Sequence, residues 1–287
     1  MILNNIWYES LYSNFGQYFK INKKIYSKKT KYQDLLIFEN ENFGRVMTLN
    51  GIVQTTESDE FIYHEMMTHV PLLAHGEVKK VLIFGGGDGG IVREVLRYEC
   101  IKKIFMVEID IDVIKASQKY LPKHNLGAYK DKRLNIIIDD GLNFLKTSSE
   151  KFDVIISDCT DPIGPGKNLF TYDFYMGCKK LLKENGIFIA QNGVCFLQYD
   201  ESVSSYAILK KIFQDVRFYQ AAIPSYYGGN MNFIWATDNI MLKKISALTL
   251  KKRLDFFKLH CLYYNHNIHI NSFCLPQYFF KMLSDIS

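Results

Sequence analysis

No two of the six cysteines form a C-x-x-C pair, and none is spaced with a histidine as a zinc ligand would be. That leaves no recognisable zinc or thiol-redox motif and points to reduced, mostly buried thiols rather than a disulfide framework. No apolar run approaches the ~18 residues needed to cross a bilayer. The opening MILNNIWYES has no basic stretch leading into a long apolar one, so no secretion signal is expected. Basic residues outnumber acidic ones by 35 to 30, but the lysines are scattered in pairs such as Lys79-Lys80, Lys102-Lys103 and Lys251-Lys252. Charge spread this way is a solvated surface, and no nucleic-acid partner is expected. Internal repeats and low-complexity segments are absent as well. What remains is an ordinary globular chain of 287 residues, 48% hydrophobic, expected in the cytoplasm. It is long enough for one large core with a smaller appendage.

Two regimes of patterning follow one another. Up to residue 56, GQYFKIN, KIYSKKT, DLLIFEN and GRVMTLNGIVQTT are short and rich in β-branched and aromatic residues, and read as strands. ENFG and LNG supply turns, the second with the signature of a type I′ hairpin. A sheet this small is expected to pack on the main domain or on another subunit. From SDEFIYHEMMTHVPLLAH the period becomes helical, with Ser58 or Asp59 as N-cap and Pro71 beyond the regular part. Apolar strands at 80–86, 103–110, 134–141, 152–159 and 186–193 then alternate with helices near 90–98, 111–120, 141–147 and 172–184. Strands apolar along their whole length and joined by helices give a parallel sheet covered on both faces. VRFYQAAIPSY and MNFIWATD are expected as two antiparallel strands at its edge. The expected fold is α/β, a doubly wound, Rossmann-like sheet of the methyltransferase type. A β-strand domain over 1–56 precedes a catalytic domain over 57–287.

Between the first parallel strand and its helix stands FGGGDGGIVREVL. Gly85, Gly87 and Gly90 fit G-x-G-x-x-G, the pattern of a dinucleotide site. Asp88 does not belong in such a site. A pyrophosphate is met there by helix N–H groups, and a carboxylate would repel it. The turn suits a cationic ligand instead.

Polar residues end the other strands too: Glu108 and Asp110, Asp139 and Asp140, Asp158 and Asp161, Gln191 and Asn192. Ligands of an open parallel sheet bind outside those carboxyl ends. Any one of these acids could equally cap the following helix, but polar groups at five successive strand ends point to a site. Glu108, 20 residues past Asp88, suits both ribose hydroxyls of an adenosine, and Asp140 suits its amino group. Acids for ribose and adenine without a phosphate site point to an S-adenosyl compound, whose sulfonium is a cation. DCTDPIGPGKNLFTYDFY (158–175) adds a loop that, with Pro162, Gly164, Pro165 and Gly166, cannot be helical and is expected to close over the site. PSYYGG (224–229) sets Tyr226 and Tyr227 before another flexible turn.

Taken in order, FGGGDGGIVREVLRY, MVEID, IIIDDGLNF, DVIISDCTDPIGPGKNLFT and AIPSYYGG resemble the spermidine synthases, or polyamine aminopropyltransferases, of bacterial type. So does the lead-in GQYF, YQDLLIFEN and FGRVMTLNGIVQTTESDEFIYHEMMTHVPL, and the resemblance runs from about Trp7 to about Asn239. It implies transfer of an aminopropyl group from decarboxylated S-adenosylmethionine to putrescine, giving spermidine and 5′-methylthioadenosine. No cofactor and no metal are implied, because a sulfonium is already a good leaving group.

The resemblance implies Asp158 as proton acceptor, and Gln33, Gly85, Asp88, Glu108, Asp140, Gly141 and Pro165 around the methylthioadenosine part. It implies Asp161, His64 and Glu9, beside Asp88 and Asp158, for the polyamine, with Tyr63, Trp7, Tyr226 and Trp235 walling its channel. Asp88 would take the ammonium of the aminopropyl arm and repel the carboxylate of ordinary S-adenosylmethionine. A homodimer or homotetramer is implied. The sequence departs from many relatives in the bare Gly89-Gly90, expected to loosen the helix start, and in Cys159, a variable position. Asp88 and the D-C-T-D pattern speak against a methyltransferase, and Asp88 with Asp140 against a nicotinamide oxidoreductase. Retention of Asp88, Glu108, Asp158 and Asp161 speaks against a non-catalytic polyamine-binding relative.

Overall fold

The computed structural model describes residues 2, 3, 5–162 and 164–284, with side chains over 5–162 and 166–284. At the N-terminus β1 (Ile2–Leu3), β2 (Ile6–Tyr8) and β3 (Tyr18–Lys20) form a three-stranded antiparallel sheet. β4 (Lys23–Lys29), β5 (Asp34–Asn40), β6 (Gly44–Leu49) and β7 (Ile52–Thr56) form a four-stranded antiparallel meander. The sequence suggests one small sheet and the structure has two, because each supplies half of a core that neither could bury alone. Trp7 and Phe19 from the first lie against Phe38 of the second, with ring centroids 5.6 and 6.0 Å away.

Side chains alternate along β5. Phe38 and Leu36 face that cluster, whereas Leu35 and Ile37 pack on Val113, Ala116 and Leu121 of the second domain. The LNG turn has φ of 51° at Asn50 and 77° at Gly51, the two positive values of a type I′ hairpin.

The rest of the described chain runs α1 (Glu60–His75), β8 (Lys80–Gly85), α2 (Gly90–Leu96), β9 (Lys103–Glu108), α3 (Ile111–Tyr120), α4 (Pro122–Asn125) and β10 (Leu134–Ile138). It continues through α5 (Gly141–Thr147), β11 (Phe152–Asp158), α6 (Tyr172–Leu181), β12 (Leu182–Val194), α7 (Tyr199–Lys210), β13 (Asp215–Ala221) and β14 (Met231–Thr237). It ends in α8 (Ala247–Phe256), α9 (His266–Ser272) and α10 (Gln277–Ser284). The seven strands of the large sheet are ordered β10-β9-β8-β11-β12-β14-β13, parallel up to β12, with β14 and β13 antiparallel at the edge.

Along β8, Val81 and Ile83 join the core beneath α1 and α2, while Leu82 and Phe84 join the opposite core with Phe174 and Phe188. Apolar contacts on both faces are why β8, β11 and β12 read as continuous hydrophobic runs, whereas on the edge strand β10 Ile136 and Ile138 are exposed. Among the described residues no helix is long and apolar enough to cross a membrane.

Several boundaries move for local reasons. β9 stops at Glu108 because Asp110 turns out of the strand to accept the Asp112 N–H as the N-cap of α3. β10 stops at Ile138, and Asp140 caps α5 through the Leu142 and Asn143 N–H groups. β12 begins at Leu182, where the sequence favours helix, because Leu182 pairs with Phe152 of β11. Pro71 lies inside α1 rather than after it. The lost N–H bond is outweighed by burial of Met66, Met67, Val70, Leu72 and Leu73, and the helix ends at Gly76 in a left-handed cap.

The chain reverses its direction of winding between β8 and β11, the switch point where an α/β sheet opens a crevice. The two strands end level, with Asp158 beside Gly85. At Gly85 φ is +74°, and a Cβ would come 1.9 Å from the Asp158 carbonyl oxygen. Gly85→Ala is therefore expected to cost about 2–4 kcal/mol of stability through strain and overpacking. A urea denaturation midpoint equal to that of the wild type would show that the strands separate without cost.

Candidate active site

One cleft opens over the ends of β8, β9, β10 and β11 and is bordered by β6 and β7. Residues of both the N-terminal strands and the large-sheet domain line it as one continuous space. At its inner end the turn after β8 carries Asp88, 8% exposed. Asp88 Oδ1 accepts the Gly90 N–H at 2.9 Å, and Oδ2 is 3.1 Å from His64 Nε2. His64 Nδ1 meets Glu60, one turn earlier on α1.

Burial alone would push the His64 imidazole down, but the Asp88 charge and the two hydrogen-bonded carboxylates outweigh it and raise it to about 10. Burial opposes ionisation of Asp88 as well, yet the His64 charge holds that carboxyl far below its usual range. A Cβ on Gly90 would lie 2.2 Å from His64 Cε1. The bare helix start is therefore not loose, since the imidazole occupies the space a side chain would take.

Glu108 ends β9 with its Oε1 accepting the Asp110 N–H at 2.9 Å. Burial raises its pKa to about 7, with the charges of Asp110 and Asp158 adding to the effect. A Cβ on Gly87 would meet Glu108 Oε2 at 2.9 Å, so glycine leaves this carboxylate open to a ligand. Gln33 Nε2 donates to Asp110 Oδ2 at 3.0 Å, as does Thr30 Oγ1 at 2.7 Å. Both N–H groups capped by Asp140 go to its Oδ1. For Asp110 and Asp140 the capping alternative is thus real, and for Asp140 it is compatible with a ligand on the other oxygen. Gly141 borders the cleft opposite Leu169.

Asp158, the last residue of β11, stands next. Tyr63 donates its hydroxyl to Asp158 Oδ1 at 2.5 Å. Burial, then the Asp88 charge, raise this carboxyl to about 6, against the opposing pull of His64 and the Tyr63 bond. The outer end belongs to Asp161 and Glu9. Burial raises Asp161, against the opposing pull of the nearby Gln198 and Gln191 amides. Glu9 accepts from the Val53 N–H at 2.7 Å and from Gln17 Nε2 at 2.9 Å, and burial raises it to about 7. Tyr226 stands edge-on to Tyr63 with centroids 6.1 Å apart, its hydroxyl donating to the Gln54 carbonyl at 2.5 Å.

The cleft thus gathers Glu9, Gln33, Tyr63, His64, Gly85, Asp88, Glu108, Asp140, Gly141, Asp158, Asp161 and Tyr226. Trp7 and Trp235 are not there. Each is 2% exposed, Trp7 between Phe19 and Phe38 and Trp235 against Phe273. An aromatic of that size is worth more in a core than at a wet wall. His64 borders the cleft, but both ring nitrogens face carboxylates, so in this arrangement it acts on Asp88 rather than presenting a donor of its own.

The segment after Asp161 is a 3-10 helix, Gly164–Phe170, and not the non-helical loop its prolines and glycines suggest. The N–H groups of the first turn have no partner within the helix, so a short 3-10 helix tolerates proline at its start. The Pro165 side chain lies outside the described residues. Sequence reasoning overlooked Gln17, Gln198 and Ser225, which border the cleft from loops and a helix start with no periodic signal. It also overlooked Glu60, whose spacing of four from His64 on a helix was there to be read.

Chemically, the inner end offers buried carboxylates that would repel a phosphate, and the outer end offers further carboxylates able to hold a cation. Residues 60–246 match the spermine/spermidine synthase domain, and residues 6–57 the spermidine synthase tetramerisation domain. A polyamine aminopropyltransferase of Erwinia tasmaniensis is 60% identical over 285 residues, covering 99% of this chain and 100% of that one. Its counterpart in Serratia proteamaculans is 59% identical over 284 residues, 99% of each chain. A spermidine synthase solved in complex with the transition state analogue AdoDATO superposes with a TM-score of 0.92 at 38% identity, over 97% of this chain and 94% of that chain. Spermidine synthase from Thermotoga maritima gives 0.90, with the same identity and coverage. The likeness covers both the N-terminal strands and the domain that carries the cleft, and this chain belongs to the spermine/spermidine synthase family as an aminopropyltransferase.

Proposed function

We propose that this chain is a spermidine synthase, moving the aminopropyl group of decarboxylated S-adenosylmethionine to putrescine by direct displacement, with Asp158 as proton acceptor. The observation that carries the reading is one continuous cleft with Glu108 at its inner end, Glu9 and Asp161 at its outer end, and Asp158 in between. Glu108 takes the ribose hydroxyls, Asp140 Oδ2 the adenine amino group, and Gln33 and Gly141 flank the nucleoside. Asp88, fixed by His64 and Gly90, takes the ammonium of the aminopropyl arm. Asp88 and Asp158 set two carboxylates against one imidazolium, which disfavours a donor that still has its carboxylate.

Putrescine is a dication near neutrality, since aliphatic ammonium groups lose their proton near ~10. Asp161 and Glu9 hold the far ammonium, with Tyr63 and Tyr226 along the chain between. The near amine passes its proton to Asp158, a better base at about 6 than an ordinary aspartate. Its lone pair then forms a C–N bond as the C–S bond breaks, the electron pair goes to sulfur, and neutral methylthioadenosine leaves. Two reactants held in line in one cleft supply most of the acceleration, and the step calls for no metal and no redox cofactor. The matched tetramerisation domain supports assembly as a homodimer or homotetramer, and we place the enzyme in the cytoplasm, with neither nucleic acid nor membrane as partner. Incubation with putrescine and decarboxylated donor should yield spermidine by mass spectrometry. Recovery of unmodified or methylated putrescine would overturn the assignment.

A further inference from the structure

From Asp88 a line of alternating acids and bases runs inward, away from the cleft. Beyond His64 lies Glu60, and the Arg93 guanidinium grips both Glu60 oxygens, Nη1 on Oε1 at 2.8 Å and Nη2 on Oε2 at 2.9 Å. Arg93 Nε donates to Glu94 at 2.9 Å, Glu94 Oε2 is 3.0 Å from His69 Nε2, and His69 Nδ1 is 2.8 Å from the Tyr98 hydroxyl. The His64, Glu60 and Arg93 side chains are only 3, 9 and 12% exposed. Of this line, Asp88 and His64 alone border the cleft.

Buried ion pairs are poor sources of stability compared with apolar packing of the same volume, so their presence here calls for a purpose. Asp88 needs a donor at Oδ2 if that oxygen is to stay in place. His64 supplies one only when Nε2 carries a proton and the ring is held in plane with the carboxylate. As an imidazolium His64 has a proton on each nitrogen, and how the ring sits is set by what Nδ1 meets. That partner is Glu60. The groups around the ring are Glu60 on its own helix, Asp88 and Arg93 from the turn and α2, and the His124 ring at 6.2 Å from α4. Arg93 also donates to the His124 carbonyl at 2.7 Å, so the grip on Glu60 is anchored to α4 as well as α2.

We propose that Glu60, clamped by Arg93, is a positioning residue for the reaction. It fixes the orientation of the His64 ring, so that Asp88 presents a fixed carboxylate to the ammonium end of the donor's aminopropyl arm. The inference rests on the reaction proposed above, and the two fail differently: an inactive wild type would remove the reaction, whereas an active one leaves Glu60 open to test. Because Glu60 touches neither substrate, its whole effect passes through His64 and falls on the donor.

The test is a double-mutant cycle over wild type, Glu60→Gln, His64→Ala and the double variant, with KM for donor and for putrescine, kcat, and the thermal midpoint. Loss of one charge-assisted hydrogen bond should raise the donor KM of Glu60→Gln by about tenfold or more, with the putrescine KM within about twofold. In the His64→Ala background Glu60→Gln should add nothing, because the residue it acts through is gone. A donor KM that rises equally in both backgrounds would overturn the proposal. So would a Glu60→Gln variant that loses only thermal stability. Should Glu60→Gln not fold, Arg93→Lys, which keeps the charge and loses the fork, carries the same two comparisons.

Discussion

Asp158→Asn is expected to lower kcat by about 10²- to 10⁴-fold while leaving methylthioadenosine affinity within about twofold. The substitution is isosteric and keeps an acceptor for the Tyr63 hydroxyl, which donates to Oδ1 at 2.5 Å. What it removes is the capacity to take a proton from the attacking amine. The pH dependence separates this role from simple orientation. Burial and the neighbouring Asp88 raise Asp158 from its ordinary value to about 6. The carboxylate is the active form, so kcat/KM for putrescine falls as pH drops through about 6 and recovers above it. In Asp158→Asn the step near 6 should vanish, leaving the limb from Glu9, raised to about 7, and the rise toward ~10 that follows deprotonation of the amine itself. A variant that keeps nearly full turnover, or the step near 6, would mean that Asp158 is not the proton acceptor.

The second large effect concerns the nucleoside. Glu108→Ala should weaken methylthioadenosine binding by about 10²-fold, the scale of hydrogen bonds from two ribose hydroxyls to one charged acceptor. Here too the sign with pH is fixed by the group's state. Burial raises Glu108 to about 7, so the empty site holds a proton there through much of the acid range. A carboxylate accepts both hydroxyls and a carboxylic acid accepts less well, so wild-type affinity should tighten as pH rises through about 7 and then level off. Calorimetric titrations at several pH values check both points. A Glu108→Ala variant with unchanged affinity, or one that keeps the wild-type pH dependence, would move the ribose elsewhere.

Much of the site was legible because it lies where sheet geometry puts it. Parallel strands buried on both faces announce themselves as apolar runs, and the residue that ends each run stands at the crevice. That rule marks Asp88, Glu108, Asp140 and Asp158, which all line the cleft, and α3 and α5 have the bounds that the sequence pattern gives them. What escaped depends on partners distant in sequence. Glu60 and Arg93 are separated by 33 residues, and only the packing of α1 on α2 makes them a pair. The Pro71 expectation failed because core packing overrode a local preference. Trp7 and Trp235 went astray because an aromatic in a strand has the same local pattern whether its face meets a ligand or another layer. Gly90 read as a weakness and proved to be the space for His64, a contact between residues 26 apart in the chain.

The central claim is that the cleft accepts an S-adenosyl donor without its carboxylate and transfers the aminopropyl arm. The most direct measurement is release of methylthioadenosine by the purified wild-type protein with putrescine and either decarboxylated or ordinary S-adenosylmethionine. Release with the decarboxylated donor alone is the expected result. Methyl transfer from ordinary S-adenosylmethionine, or no release with either donor, would contradict it.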